Sequence, residues 1–294
     1  MTVIEGAGGP ADWQHSGRPR SAAAPMARQE QVVEMTPEHI EELRKAKELL
    51  DNPGLAARIA AVIGKPMERG LSLLPGPWSE AVNDATKKAL ETALEAALRT
   101  LGKNSQLEAS TIWHKVAAAA SGAGGGALGL PALIIELPVA TTIMLRSIAD
   151  IARSEGEDLR RAESQLACLE VFALGGRTSK DDVANSGYFA VRAALARAVS
   201  EAAGFIAERG LAKEGAPVMV RLISLIGARF GVNVSEKAAA QAVPAVGALG
   251  GALINLAFID HFQDMARGHF TVRRLERIYG TDVVQAEYHK WRAS

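Results

Sequence analysis

The chain has 294 residues with 33 basic and 33 acidic side chains, so no net field draws it to nucleic acid or to an acidic partner. Its single cysteine, Cys168, excludes a disulfide framework and fits a reducing compartment. The opening MTVIEGAGGPADWQHSGRPR lacks the apolar core of a secretory signal, and the expected residence is cytoplasmic.

Residues 1–35 are rich in Gly, Pro, Ala and Arg, show no periodicity, and read as a disordered tail. The ordered part, 36–294, opens at Thr36-Pro37-Glu38: an N-cap, a proline at the first helical position and an early acid. Ile40, Leu43, Ala46, Leu49 and Leu50 keep helical spacing until Asp51-Asn52-Pro53-Gly54 breaks it. A short apolar segment follows over 55–63. Leu74-Pro75-Gly76-Pro77-Trp78 reads as a stiff turn, with Ser79 capping the next helix. That helix carries a stripe from Val82 through Ala89, Leu90, Ala93 and Leu94 to Leu101, ended by Gly102-Lys103-Asn104.

Two stretches, 116–135 and 238–259, are almost free of charge and packed with glycine and alanine. At about 1.5 Å per residue, each is long enough to cross or enter a bilayer core. The pairs Gly122/Gly126, Gly125/Gly129 and Gly247/Gly251 stand four apart, a spacing that lets helix backbones approach closely. Trp113-His114-Lys115 and Lys237 resemble interfacial anchors. Against a permanent span stand Glu136 between Pro131 and Pro138, then Arg146 and Asp150. Alanine also supplies little transfer energy. A buried hairpin and a conditionally inserted one both fit, and permanent spanning fits least.

Pro131 and Pro138 are expected to interrupt or kink any helix there, with a helix resuming over 141–153. A break at Gly156 and a helix over 161–174 follow, and Gly175-Gly176 is the best internal boundary. Beyond it are expected a helix from Ser179 to about Gly210, a third over 216–230, and a charged one over 260–279. KVAAAASGAGGGALGLPALI from Lys115 and KAAAQAVPAVGALGGALI from Lys237 are similar, which suggests a weak internal repeat with halves 36–176 and 177–294. No strand-turn-strand series occurs. The chain reads as all-α, a multi-helix bundle with two Gly/Ala-rich apolar helical hairpins.

Asp260, His261 and Asp264 lie within one helical turn, with His269 two turns beyond. The spacing is that of no standard metal site; salt bridging of the aspartates with Arg267 is the ordinary reading, and no metal is expected. Gly124, Gly126 and Gly129 satisfy a G-x-G-x-x-G pattern with Asp150 downstream. Alanines rather than a strand precede it and Pro131 follows, so no dinucleotide or other cofactor is expected. Glu136, inside an apolar segment, must find a partner among Arg146, Arg153 and His114 or raise its pKa. Glu170 invites the same reasoning, and Cys168 reads as a buried thiol. Arg267, Arg273, Arg274 and Arg277, joined by Lys290 and Arg292, form a basic face. It suits anionic lipid headgroups, or a solvated face balanced by Glu276 and Asp282. Without interleaved aromatics it offers nucleic acid nothing.

Three blocks resemble the EcsC family in order and spacing. They are the glycine-rich 119–137 running into LPVATTIMLRSIADIARSEGED, then QLACLEVFALGG, then DMARGHFTVRRLERIYG. That family is named for a protein encoded beside an ABC exporter, so the resemblance implies an association with membranes or transport. It brings no agreed catalytic mechanism and no site residues. Some relatives carry hydrolase or peptidase labels, yet neither a G-x-S-x-G elbow nor a zincin helix occurs here. The expected function is that of a non-enzymatic helical protein, peripheral on the cytoplasmic membrane face, with membrane lipid or a transporter as partner in a transport or envelope process. The alternatives are a soluble scaffold that binds another protein, and a hydrolase with a pocket around Glu136 and Arg146 or around Asp260, His261 and Asp264.

Overall fold

The structure, a computed structural model, describes residues 34–51, 54–63, 76–102, 129–175, 187–209, 216–241 and 247–291. Among them run nine helices: α1 (Pro37–Asp51), α2 (Leu55–Ile63), α3 (Gly76–Thr100), α4 (Gly129–Ser154), α5 (Ala162–Leu174), α6 (Gly187–Arg209), α7 (Pro217–Gln241), α8 (Gly247–Tyr279) and α9 (Thr281–Lys290). No strand occurs among the described residues. The tail read at 1–35 lies outside them except for Glu34 and Met35, and residues 35–294 cluster as one unit.

Local chemistry explains the first helix. The Thr36 hydroxyl accepts the His39 N–H at 3.3 Å, and the Thr36 carbonyl accepts that of Ile40 at 2.9 Å. Pro37 occupies the turn where a missing N–H sacrifices nothing. Helix α5 is set by the tertiary structure instead. All of its residues over 164–173 are buried, because α3, α4, α6, α7 and α8 surround it. Phe172 of α5 meets Phe230 of α7 and Phe262 of α8 at ring-centroid distances of 4.9 and 5.3 Å, and Phe258 of α8 extends the cluster. The orphan carbonyls at the end of α5 are taken up by two side chains. Arg229 donates from Nε to the Ala173 carbonyl at 3.0 Å, and His261 from Nε2 to that of Gly175 at 3.1 Å.

Several helix limits differ from those expected. Helix α3 already begins at Gly76, so Pro77 lies in its first turn and Ser79 is inside it rather than a cap. Helix α4 runs unbroken through both prolines. Pro131 sits in the first turn, and Pro138 removes one backbone hydrogen bond while Leu137, Thr141, Leu145 and Ile148 remain fully buried around it. Helix α7 continues past the Gly231 where the sequence suggested a stop, since that glycine packs toward Asn83 of α3. The apolar run at 238–259 is divided between the end of α7 and the start of α8, and α8 joins it without a break to the charged helix. Lys237 and Phe230 of α7 meet Phe258 and Phe262 of α8 in reverse order, so these two helices run antiparallel. Helix α9 was not expected; Gly280, at φ +88°, makes the turn into it. The first apolar run lies outside the described residues up to 128, as do Gly122, Gly124, Gly125 and Gly126.

Among the described residues, Gly268 is a glycine that lets two helices approach closely, α8 and α1. A Cβ there would stand 2.7 Å from Leu50 Cγ and 2.9 Å from the Ala46 carbonyl oxygen of α1. Alanine gains about 1 kcal/mol of helix propensity over glycine. Overpacking takes back about 1–3 kcal/mol, and a backbone carbonyl cannot swing away. Gly268→Ala is therefore expected to destabilise, by up to about 2 kcal/mol. Gly204→Ala, on α6 with nothing within 4 Å, is expected to stabilise. Thermal unfolding of the two variants checks the opposite signs.

Candidate functional site

Glu136, the residue that follows the first apolar run, reaches both helices that share the second. Its Oε1 lies 3.5 Å from Lys237 Nζ on α7 and accepts from Asn255 Nδ2 on α8 at 3.3 Å. The Lys237 side chain is 1% exposed and its ammonium lies 4.9 Å from the Phe258 ring centroid, whereas Glu136 is 42% exposed. Burial lowers the Lys237 pKa, and the Glu136 charge opposes that. The expected partners of Glu136 are thus replaced. Arg146 and Arg153 share α4 with it, about 15 and 25 Å further along the axis. Arg153 pairs instead with Asp150 at 2.6 Å and donates to the Leu101 carbonyl. His114 lies outside the described residues.

The seam around this contact is incompletely satisfied. Asn255 Oδ1 in the contact itself, and Asn233 Nδ2 on α7, are buried without a hydrogen-bond partner. Asn233 lies one turn before Lys237 on the same face of α7. Next to it, Glu236 accepts the Ala56 N–H at the start of α2, and burial pushes its carboxyl up to about 7. Outside the seam, Val139, Leu253 and Leu256 are 51, 48 and 54% exposed, within a turn of Glu136 or Asn255.

A second, larger polar cluster lies at the other end of α8. Arg192 of α6 grips Glu276 with two bonds of 2.8 and 2.9 Å and donates to Tyr188 Oη at 3.3 Å. The Tyr188 hydroxyl also shares a hydrogen bond with His269 Nδ1, at 3.0 Å. Burial, followed by the Arg192 and Arg273 charges, keeps the His269 pKa well below the usual value and its ring neutral. Arg273 donates to both Glu157 oxygens at 2.8 and 3.3 Å; Ser164 and Arg277 complete the ring of donors around that carboxylate. Arg274 joins Glu155 and Glu42 at 2.7 and 2.8 Å. Glu170 is buried on α5, and desolvation, opposed by the Arg273 and Arg192 charges, pushes it up to about 7. Cys168 is buried as expected, and burial raises its thiol pKa beyond the reactive range.

The basic face read along α8 is therefore largely engaged in ion pairs, with Arg273 and Arg274 mostly covered and Arg267 and Arg277 still half exposed. Arg273, Arg274 and Arg277 meet Glu157, Glu155 and Glu42 rather than Glu276 and Asp282, because α8 lies against α1 and the 155–158 turn. Asp260, His261 and Asp264 diverge. Asp260 is exposed, His261 is 2% exposed and caps α5, and Asp264 binds Arg58 at 2.8 Å and Arg267 at 3.0 Å. Among the described residues no three His, Cys, Asp or Glu side chains are grouped to hold a metal ion. Asp150, downstream of the glycine pattern in sequence, pairs with Arg153.

The family model described as EcsC protein family matches residues 37–275. The chain belongs to the EcsC protein family. No curated protein and no solved structure matches it. The EcsC match takes in Glu136, Lys237, Asn255, Tyr188, Arg192, His269 and Arg273, and leaves out α9. Sequence reasoning missed Lys237 as the partner of Glu136, though one signal pointed to it. Opposite charges close the first apolar run and open the second, and a charge on each of two apolar helices is satisfied most cheaply by the other.

Proposed function

We propose that this EcsC-family chain is a non-enzymatic helical protein that docks reversibly on the cytoplasmic face of a membrane, in support of a transport or envelope process. One observation carries the reading: Val139, Leu253 and Leu256 leave about half their surface in water, within a turn of Glu136 or Asn255. Helix α7 supports it more weakly. Over 217–240 it is long and apolar enough to cross a membrane by length and composition, with 44% of its apolar window buried. That window also serves the core, through Phe230 and Ile226.

Burying the exposed half of three such side chains is worth about 2–4 kcal/mol. That suits weak, reversible association and falls far short of a permanent anchor. Purified protein is expected to float with vesicles of phosphatidylglycerol and phosphatidylcholine in a density gradient. Leu253→Ser/Leu256→Ser, both at half-exposed positions, is expected to reduce the floated fraction severalfold with only a modest fall in the melting temperature. Wild-type protein that stays at the bottom of the gradient with every lipid mixture sinks the reading.

A further inference from the structure

Helix α8 is stitched unevenly along its length. Over 261–279 it is tied by Asp264 to Arg58, Arg273 to Glu157, Arg274 to Glu155 and Glu42, and Glu276 to Arg192, each at 2.7–2.8 Å. Over 253–260 the polar ties among the described residues reduce to Asn255 on Glu136, and through Glu136 to Lys237. Their 3.3 and 3.5 Å are long against the roughly 2.7–2.9 Å of a well-formed charge-assisted bond. A buried ammonium held by one half-exposed carboxylate, with Asn255 Oδ1 of the same contact unpartnered, makes this end of α8 less securely tied than the stretch over 261–279.

Resting on the lipid reading above, we propose that the Glu136–Lys237–Asn255 contact is a release latch. Closed, it keeps the start of α8 and the end of α7 packed against α4. Parted, it frees these segments to bury their apolar side chains in lipid, while the ion pairs further along α8 hold the rest of the bundle together. The latch has an unusual mutational signature. Removing Glu136 strands the Lys237 charge in the interior and favours opening. Replacing Lys237 by methionine removes the charge that makes the seam insecure and favours closure. A contact that merely fills space would loosen in both cases.

The test follows hydrogen exchange over 253–260 in the purified full chain, with vesicle flotation in parallel. Glu136→Gln is expected to speed exchange there by at least about tenfold and to raise the floated fraction, while the 164–173 segment of α5 stays protected. Lys237→Met is expected to slow exchange and lower flotation, and the double variant to behave like Lys237→Met. Faster exchange in Lys237→Met, or a double variant as open as Glu136→Gln, overturns the latch. The Lys237→Met comparison with wild type decides the matter alone should Glu136→Gln fail to fold. If exchange follows the expected order but no variant floats, the lipid reading falls and the latch stands. If all four proteins float equally with unchanged exchange, the latch falls and the lipid reading stands.

Discussion

Replacing Glu276 by alanine is expected to lower the stability of the protein by about 3–5 kcal/mol, the usual penalty for stranding one member of a buried ion pair. The side chains of Arg192 and Glu276 are 20 and 9% exposed, so water cannot take over the carboxylate's role. Arg192 also donates to Tyr188 and lies over the Tyr188 and Phe189 rings, at 5.4 and 5.7 Å from their centroids. Loss of Glu276 would leave this guanidinium without a counter-charge between α6 and α8. Adding Arg192→Met is expected to recover much of the loss, because removing both charges removes the uncompensated one. Urea denaturation of the two single variants and the double closes the cycle. A Glu276→Ala loss below about 1 kcal/mol would mean that the pair behaves as a surface pair.

Glu170→Gln is expected to have its largest effect above neutral pH, and in the opposite direction. Burial raises the folded-state pKa of Glu170 from 4.5 to about 7, so the folded protein binds this proton more tightly than the unfolded chain does. Stability from this group is greatest at low pH and falls as pH rises from about 4.5 to about 7. Beyond that window the folded protein carries a penalty of about 3 kcal/mol. Glutamine keeps the shape without the charge, so the variant is expected to be about 3 kcal/mol more stable than wild type at pH 8. The two proteins converge near pH 4–5. His269, whose folded pKa is depressed, loses stability in the other direction as pH falls through its unfolded value. Glu157 does the same as pH falls through its own lowered value, held down by Arg273, Ser164 and Arg277 against the desolvation that pushes it up. Both act in wild type and variant alike and cancel in the difference. Melting temperatures of the pair across pH 4.5–8.5 give the curve, and parallel curves would show that Glu170 is ionised in the folded state.

The fold was legible where local chemistry decides it. The limits of α1 and α2, the stripe of α3 and the end at Gly102 all follow from caps, prolines and periodicity within a few residues. The errors share one cause. Pro138 within α4 and Gly231 within α7 both look like stops, yet each lies on a packed face where neighbouring helices offset the local penalty. The uniformly buried α5 was visible as an apolar run, but nothing local marked it as the centre of the bundle.

The candidate site was legible only in part. Glu136 stood out because a carboxylate in an apolar run must be satisfied. The pull of sequence proximity then led to Arg146 and Arg153, which one straight helix carries out of reach. Asp260, His261 and Asp264 looked like a cluster because they are neighbours in the chain. The helix sends His261 into the core and Asp264 toward α2, since residues one and three positions on project in different directions.

By itself, then, the sequence determined the helical class, the positions of most helices, the family, and the two apolar runs as the unusual feature. Each of these is a property of neighbouring residues or of a pattern along the chain. Only the tertiary structure decided which charge meets which. Glu136 and Asn255 are 119 positions apart, and Arg192 and Glu276 are 84 apart. Which helix faces which is set by the packing of whole apolar faces around α5, and no local spacing encodes it.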